Sequence, residues 1–358
     1  MNAPFIRMRA ALRLAILAEP DECARIGAFL AGHAEATPFH RPAWLEAVAQ
    51  GTGNPAHALL LERGGAIAGY LPLSAVHSPL FGRVLASSGF AVGGGVLVAG
   101  GADAEPLFAA AEELAQRLAS PAIELRGGEM PGCRPGWHIK TGSHCGFIAP
   151  LAKDDEAQLL AIPRKQRAEV RKGLEQDLEI GTGTSETDRA AHYAVYAESV
   201  RNLGTPVFPR ALFDAVLDQF GADADILTVR HAGRPVASVL SLYHRGAVMP
   251  YWGGGIREAR RLRANDRMYY ELMVRARRRG CSHFDFGRSK TGSGAHDFKR
   301  NWGFEPEPLS YASWTAPGSA PRDADPNSAK HALQIALWRK LPLSLANRIG
   351  PMIARGLG

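Results

Sequence analysis

Two stretches of this chain run through the same succession of patterns. The first opens at Thr37-Pro38-Phe39, continues as a predicted helix through Trp44 and Val48, and reaches an apolar strand over 58–62. A Gly64-Gly65 turn leads into a strand over 66–75, the triplet Gly93-Gly94-Gly95, a helix over about 106–119 and a strand over 123–126. The second opens at Thr205-Pro206-Val207, with a helix through Leu212 and Val216 and a strand over 226–230. An Ala232-Gly233 turn follows, then a strand over 236–242, the triplet Gly253-Gly254-Gly255, a helix over about 265–279 and a strand over 283–286. Short glycine turns between apolar runs mark hairpins. A helix followed by one more strand returns the chain to the same sheet. The repeat therefore predicts two related α/β units, each a mixed sheet flanked by helices.

The length of 358 residues exceeds one ordinary core and agrees with two domains, placed at 1–155 and 156–315, with 316–358 as linker and tail. The stretch 316–328 is rich in Pro, Ala, Asp and Ser and reads as the linker. The tail reads as amphipathic helices broken at Pro342 and Pro351, with Trp338, Leu341, Leu345, Ile349 and Ile353 on the apolar side. Docking of that side onto the protein's own core is the simpler reading, and contact with a membrane surface is the alternative. A net charge of +7 points to an anionic partner: a phosphate-bearing co-substrate, RNA or a lipid surface. The four cysteines, Cys23, Cys133, Cys145 and Cys281, form no C-x-x-C pair, which fits reduced thiols in the cytoplasm. Cys133, His138, His144 and Cys145 match no standard ligand spacing, so no metal is expected. The first residues lack a continuous apolar core for a signal peptide, because Arg13 interrupts it, and no run is long enough to span a bilayer.

The densest chemistry lies in the second unit. In His283-Phe284-Asp285-Phe286-Gly287-Arg288-Ser289-Lys290, the two phenylalanines share one face of a strand and Asp285 takes the other. A carboxylate there needs a cationic partner, for which Arg288 and Lys299 are the candidates, or it serves as a general base. Gly287 lets the chain turn and delivers Arg288, Ser289 and Lys290 to the strand end, where ligands of open α/β sheets gather. Phe298 and Trp302 share a face of the short helix that follows. Tyr251-Trp252 and the glycine triplet lead into a loop with Arg257, Arg260, Arg261 and Arg263, feeding a helix capped by Asn265 or Asp266. Basic side chains at a helix N-terminus suit a phosphate. Arg164, Arg167 and Arg171 lie on one face of a basic helix expected to join the units, broken near Pro163. That face offers contacts to phosphate or an RNA backbone. The rigid turn from Thr205 through Phe208 to Arg210 is placed at the acceptor side.

The run from Phe284 to Lys290, followed by Phe298-Lys299-Arg300-Asn301-Trp302-Gly303-Phe304, resembles the C-terminal signature of FemAB-family proteins. It is most similar to the subgroup associated with PEP-CTERM/exosortase systems, as is the ending from Trp338 to Pro351. The resemblance implies tandem GNAT-like domains and transfer of an acyl or aminoacyl group to an amine, as in envelope or exopolysaccharide biosynthesis. The donor it implies is acyl-CoA or aminoacyl-tRNA, used as co-substrate, with no permanently bound cofactor. It further implies oxyanion stabilisation by a backbone N–H near Tyr251 to Gly253. Asp285 is then the base and Lys299 faces the acceptor or the developing charge. Tyr251, Tyr269 and His296 are secondary acid–base candidates. Arg263, Asn265, Arg288 and Ser289 would hold the donor. Phe208, Trp252 and Tyr269 would contact substrate, as would Lys290, Trp302 and the arginines of the basic helix. The usual glycines of a CoA-binding loop are replaced by Leu262, Arg263 and Ala264, which leaves room for a tRNA end or another anionic donor. Expected partners are an amine acceptor, tRNA and a membrane surface met by the C-terminal helices of a cytoplasmic protein. The competing reading is a non-catalytic GNAT-like binder of RNA or anionic glycolipid, acting as an assembly factor.

Overall fold

The computed structural model describes residues 11–79, 81–320 and 329–358, so most of the expected linker and the first ten residues lie outside the described residues. The chain forms two compact units.

In the first unit, β1 (Ala11–Leu14), α1 (Pro20–Ala31) and α2 (Pro42–Thr52) precede a meander of β2 (Ala56–Arg63), β3 (Ala66–Ser78) and β4 (Gly82–Ser87). Then come β5 (Leu97–Val98), α3 (Glu105–Arg117) and β6 (Ala122–Arg126). Gly64 and Gly65 both have positive φ, as a two-residue turn with the twist of the flanking strands demands. The strands run β1-β2-β3-β4-β6, all antiparallel except β4 with β6, and Tyr311–Thr315 of the strand Glu307–Thr315 lie next to β6, antiparallel to it. Alternation divides β2 between two cores. Leu59 and Leu61 pack with Leu107, Phe108 and Leu114 of α3, while Leu60 packs with Ile26 of α1 and Leu45 of α2.

After β7 (Trp137–Gly146), the second unit contains β8 (Ile148–Pro150), α4 (Asp155–Ala161), α5 (Arg164–Leu174), β9 (Glu179–Gly183), α6 (Glu186–Leu203) and α7 (Arg210–Phe220). A meander of β10 (Ala224–His231), β11 (Arg234–His244) and β12 (Ala247–Gly255) follows, then α8 (Arg257–Arg261), α9 (Ala264–Arg278) and β13 (His283–Asp285). The unit continues through β14 (Ser289–Lys290) and α10 (Gly294–Asn301), and after the described gap adds α11 (Ala329–Trp338) and α12 (Leu343–Ala354). Strand order is β9-β10-β11-β12-β13-β8, with β12 and β13 parallel. This is the plan of the first unit: a meander, a helix, a parallel strand and an antiparallel strand next to it. The expected fold, two tandem GNAT-like domains with mixed sheets flanked by helices, is the observed one.

Four local expectations change. The arginine-rich loop after Gly255 coils into α8, where Arg261 pairs with Glu258 one turn earlier at 3.6 Å. The basic helix is part of the second unit, packed against α9. The glycine triplets are not equivalent, since Gly93 to Gly95 are loop and Gly253 to Gly255 end a strand. Finally, α12 packs through Ala346, Gly350 and Ala354, while Leu345 faces solvent. Small residues allow the closer approach, and the backbone N of Val207 lies 3.2 Å from where a Gly350 Cβ would sit.

Candidate active site

The second sheet opens at its centre. β13 pairs with β12 only at Ala247–His283 and Val248–Phe284, after which Asp285 pairs on its other side with Ile148 of β8. From Met249 onward β12 therefore parts from β13. A bulge accompanies the parting, because Leu240 of β11 faces Trp252 while its neighbour Ser241 faces Pro250, leaving Tyr251 as the extra residue. A bulge re-aims backbone groups and increases local twist, which is why it recurs beside functional sites.

The glycines beyond the bulge allow close packing on both faces of β12. A Cβ at Gly254 would collide with the Ser199 hydroxyl of α6, and one at Gly255 with the Asn265 amide oxygen of α9. At Gly253 it would lie 2.9 Å from Val239 Cγ2 and 3.4 Å from the Tyr269 hydroxyl. Tyr269 thus reaches the free part of β12 from α9. Its ring stands against Phe286 at 4.9 Å, Phe298 at 5.7 Å and Trp302 at 6.0 Å between centroids. Burial pushes its phenol up to about 12, with the nearby Asp266 carboxylate adding to the shift. On the other face Trp252 packs at 4.6 Å on Phe213 and 6.2 Å on Phe208, the residue whose carbonyl accepts from the Tyr193 hydroxyl.

Across the opening, Asp285 ends β13 and accepts from the Gly287 amide at 2.8 Å, forming the turn in which Gly287 has φ +65°. Burial raises the Asp285 carboxyl above the ordinary carboxylate range, opposed by that hydrogen bond and by the charge of Lys299. Buried Lys299 projects from α10 and donates to the carbonyls of Gly287 at 3.2 Å and Arg288 at 2.8 Å. It forms no ion pair with Asp285, in contrast to one sequence expectation; the two attract through space. Phe147 and Phe286 present their rings to the ammonium at 5.3 and 5.8 Å. Desolvation lowers the Lys299 pKa to about 8. Arg288 is half-buried on the same turn. Ser289 and Lys290 form β14 against Cys145 and His144, with the Ser289 side chain buried. His296 is also buried and lies against Phe147.

The N-terminus of α9 is more enclosed than the sequence implies. Arg263 adopts φ +54° and lies 2.7 Å from Glu169 of α5, an ionic contact without hydrogen-bond alignment. Gln166 of α5 donates to Asp266 at 2.6 Å. Gly173 lets α5 sit beside this turn, since a Cβ there would be 2.9 Å from the Arg263 carbonyl. Burial raises the Asp266 carboxyl, while Lys172 and Arg263 hold that of Glu169 down. Asn265 packs on Gly255 with its amide oxygen buried and unpartnered. On the outer side of α5, Arg164 and Arg171 are exposed and Arg167 donates to Leu160 O at 3.2 Å. Arg275 and Arg279 pair with Asp225, and Arg277 and Arg278 with Asp155, so the basic end of α9 is structural.

The structure thus gathers Tyr251, Gly253, Tyr269, Phe286 and Trp302 around the parting of β12 and β13. It sets Asp285, Arg288 and Lys299 on the adjoining turn, and Trp252 and Phe208 on the α6–α7 face. Sequence reasoning missed His192 of α6, which is fully buried, meets Ser238 Oγ at 3.0 Å and is depressed by burial to about 3. It also missed Ser199. The i, i+4 spacing of His192 and Tyr196 was the available signal.

Residues 164–300 match the family described as Acetyltransferase (GNAT) domain, a span that holds every element from α5 to the penultimate residue of α10. No curated protein matches the chain. Among solved structures, the crystal structure of FemX aligns with a TM-score of 0.62 at 15% identity, covering 80% of this chain and 95% of FemX. A tandem GNAT protein from the clavulanic acid biosynthesis pathway aligns at 0.56 with 14% identity, covering 87% and 100%. L-PGS from Bacillus licheniformis aligns at 0.53 with 13% identity, covering 90% and 96%. At such identities the likeness is one of fold. Fold and matched domain together give a GNAT-type acyl/aminoacyltransferase fold, related in architecture to FemX and L-PGS.

Proposed function

We propose that the second unit moves an acyl or aminoacyl group from an activated carrier directly onto an amine. The observation that carries this reading is the parting of β12 from β13 at the Tyr251 bulge. It leaves a stretch of strand edge where an acyl carbonyl can lie and where a backbone N–H near Tyr251 to Gly253 can meet the oxyanion. Asp285, made more basic by burial, takes the proton of the attacking amine. The new N–C bond forms as the carrier's C–S or C–O bond breaks, and the carrier leaves with a proton. Lys299 fixes the turn that carries Asp285 and attracts the developing negative charge.

The packing of α5, with Glu169 and Asp266, around the first turn of α9 opposes a CoA pyrophosphate there. It favours an aminoacyl ester on tRNA, with exposed Arg164 and Arg171 on its backbone. Acyl-CoA, anchored at Arg263, is the second reading, supported by the matched acetyltransferase domain. The FemAB resemblance supports an acceptor in envelope or exopolysaccharide biosynthesis and an association with PEP-CTERM/exosortase systems.

Calorimetric titration separates the donors. Saturable binding of charged tRNA, with no heat from acetyl-CoA in the same folded sample, is the expected result. Acetyl-CoA binding that Arg263→Ala weakens would move the protein to the CoA-dependent enzymes. Donor binding without transfer to any of a broad panel of amines would leave the non-catalytic binder as the better account.

A further inference from the structure

The C-terminal segment from Ala329 to Gly358 contains Lys330, Arg339, Lys340, Arg348 and Arg355 and no aspartate or glutamate. On α12 the outward residues Leu345, Arg348, Met352 and Arg355 follow the spacing i, i+3, i+7 and i+10, which is one helix face. Leu345 is 43% exposed and Met352 68%. Leu337 of α11, 58% exposed, and Leu203 at the end of α6, 59% exposed, are further exposed leucines on the elements beside it. These belong to the same region. Arg339 donates to the Leu203 carbonyl at 3.1 Å, Arg201 donates to the Arg339 carbonyl at 3.3 Å, and Ile335 covers Gly204. Isolated surface leucines need no explanation, whereas several grouped among basic residues alone do.

We propose that this face docks on an anionic lipid bilayer. Charge complementarity selects the occupant: large apolar side chains enter the interface while arginine and lysine meet acidic headgroups. Among the described residues no helix is long and apolar enough to cross a membrane, so the contact lies in the plane of the surface. Gly350 of α12 rests on Val207, within the turn that continues to Phe208 beside Trp252. Docking would therefore hold the α6–α7 side of the opening at the headgroup layer. The acceptor implied is an amine carried on a membrane-anchored precursor, and this last step rests on the transferase reading.

Flotation of the full-length protein with phosphatidylcholine vesicles, with and without about 30% phosphatidylglycerol, tests the surface directly and needs no turnover. The protein should float only with the anionic vesicles. The double variant Leu345→Glu, Met352→Glu should lower the bound fraction about tenfold, and Arg348→Ala about fivefold, at unchanged melting temperature. Salt near 1 M should weaken binding as the Debye length falls to about 3 Å. Wild-type protein that stays unbound, or flotation undiminished in the double variant, overturns the proposal. So does a concentration-dependent dimer that the double variant abolishes, because a second copy would then be the occupant. Vesicle binding with no amine transfer would overturn the transferase reading alone. Transfer to a soluble amine without vesicle binding would overturn the docking alone.

Discussion

Asp285 and Lys299 meet at one turn, where Gly287 donates its amide to the first and offers its carbonyl to the second. Asp285→Asn keeps an oxygen to accept from Gly287 but loses basicity, so turnover should fall by about 10²- to 10⁴-fold with donor affinity unchanged. Single-turnover kinetics beside calorimetric binding would show the split, and parallel losses in both would make Asp285 structural. Lys299 gives a pH test. Its pKa is about 8 when folded against an ordinary value of 10.5, so between those limits the unfolded chain holds more protons. Stability contributed at this position must then rise with pH across that window, as folding no longer buries a charge. Below about 8 both states are protonated and the full cost of burying the ammonium remains. Urea midpoints of the wild type should therefore gain on those of Lys299→Met from pH 8 toward 10.5. A constant difference would show that the ammonium stays solvated.

At the scale of elements, the end of β12 and the α5–α9 contact are places where glycines allow close approach. Gly254→Ala puts a methyl group onto Ser199, whose own Cβ would be 2.7 Å away, and should cost about 1–3 kcal/mol. Ser199→Gly in the same chain removes the obstacle, and thermal melts of the four-member cycle should show most of the loss recovered. At the first turn of α9, Glu169→Gln frees Arg263 from its ion pair and, if acyl-CoA is the donor, should tighten acetyl-CoA binding about two- to fivefold. Unaltered affinity would mean that the phosphate groups never reach this turn. These contacts also mark what the sequence could convey. The hairpin turns, α9 and β13 were legible because local glycine chemistry and apolar periodicity dictate them. The bulge at Tyr251 was not, because it exists only in the register between β11 and β12. The equivalence drawn between the glycine triplets failed for a related reason: one composition serves a loop around Gly94, with φ +108°, and close packing on a strand at Gly254. Asp285 and Lys299 were named from the residues around them and Tyr269 through the family resemblance, but the carbonyls that hold Lys299 and the helix that encloses Arg263 come from residues distant in sequence.

Across the whole molecule the charge of +7 is unevenly engaged. Arg13 and Arg25 are tied to Glu22 and Glu62, Arg189 to Asp218, and Arg275 and Arg279 to Asp225. Arg164 and Arg171 instead face solvent on α5. If they contact a tRNA backbone, log K should fall linearly with log salt, and each change to alanine should reduce the slope by about 1. Filter binding across a salt series would measure it, and an unchanged slope would remove α5 from the interface. The strands that flank β6 and β13 carry a different consequence. The second sheet has its edge strand β8 already made when β13 emerges, whereas in the first sheet β6 is joined on its free side only by Tyr311–Thr315. On the ribosome, the first sheet must therefore wait, with one edge of β6 open, until nearly all of the second unit has emerged. An open strand edge is a template for misplaced pairing. Slow translation through the second unit should prolong that exposure and raise dependence on chaperones, even though nothing in the finished protein would be altered.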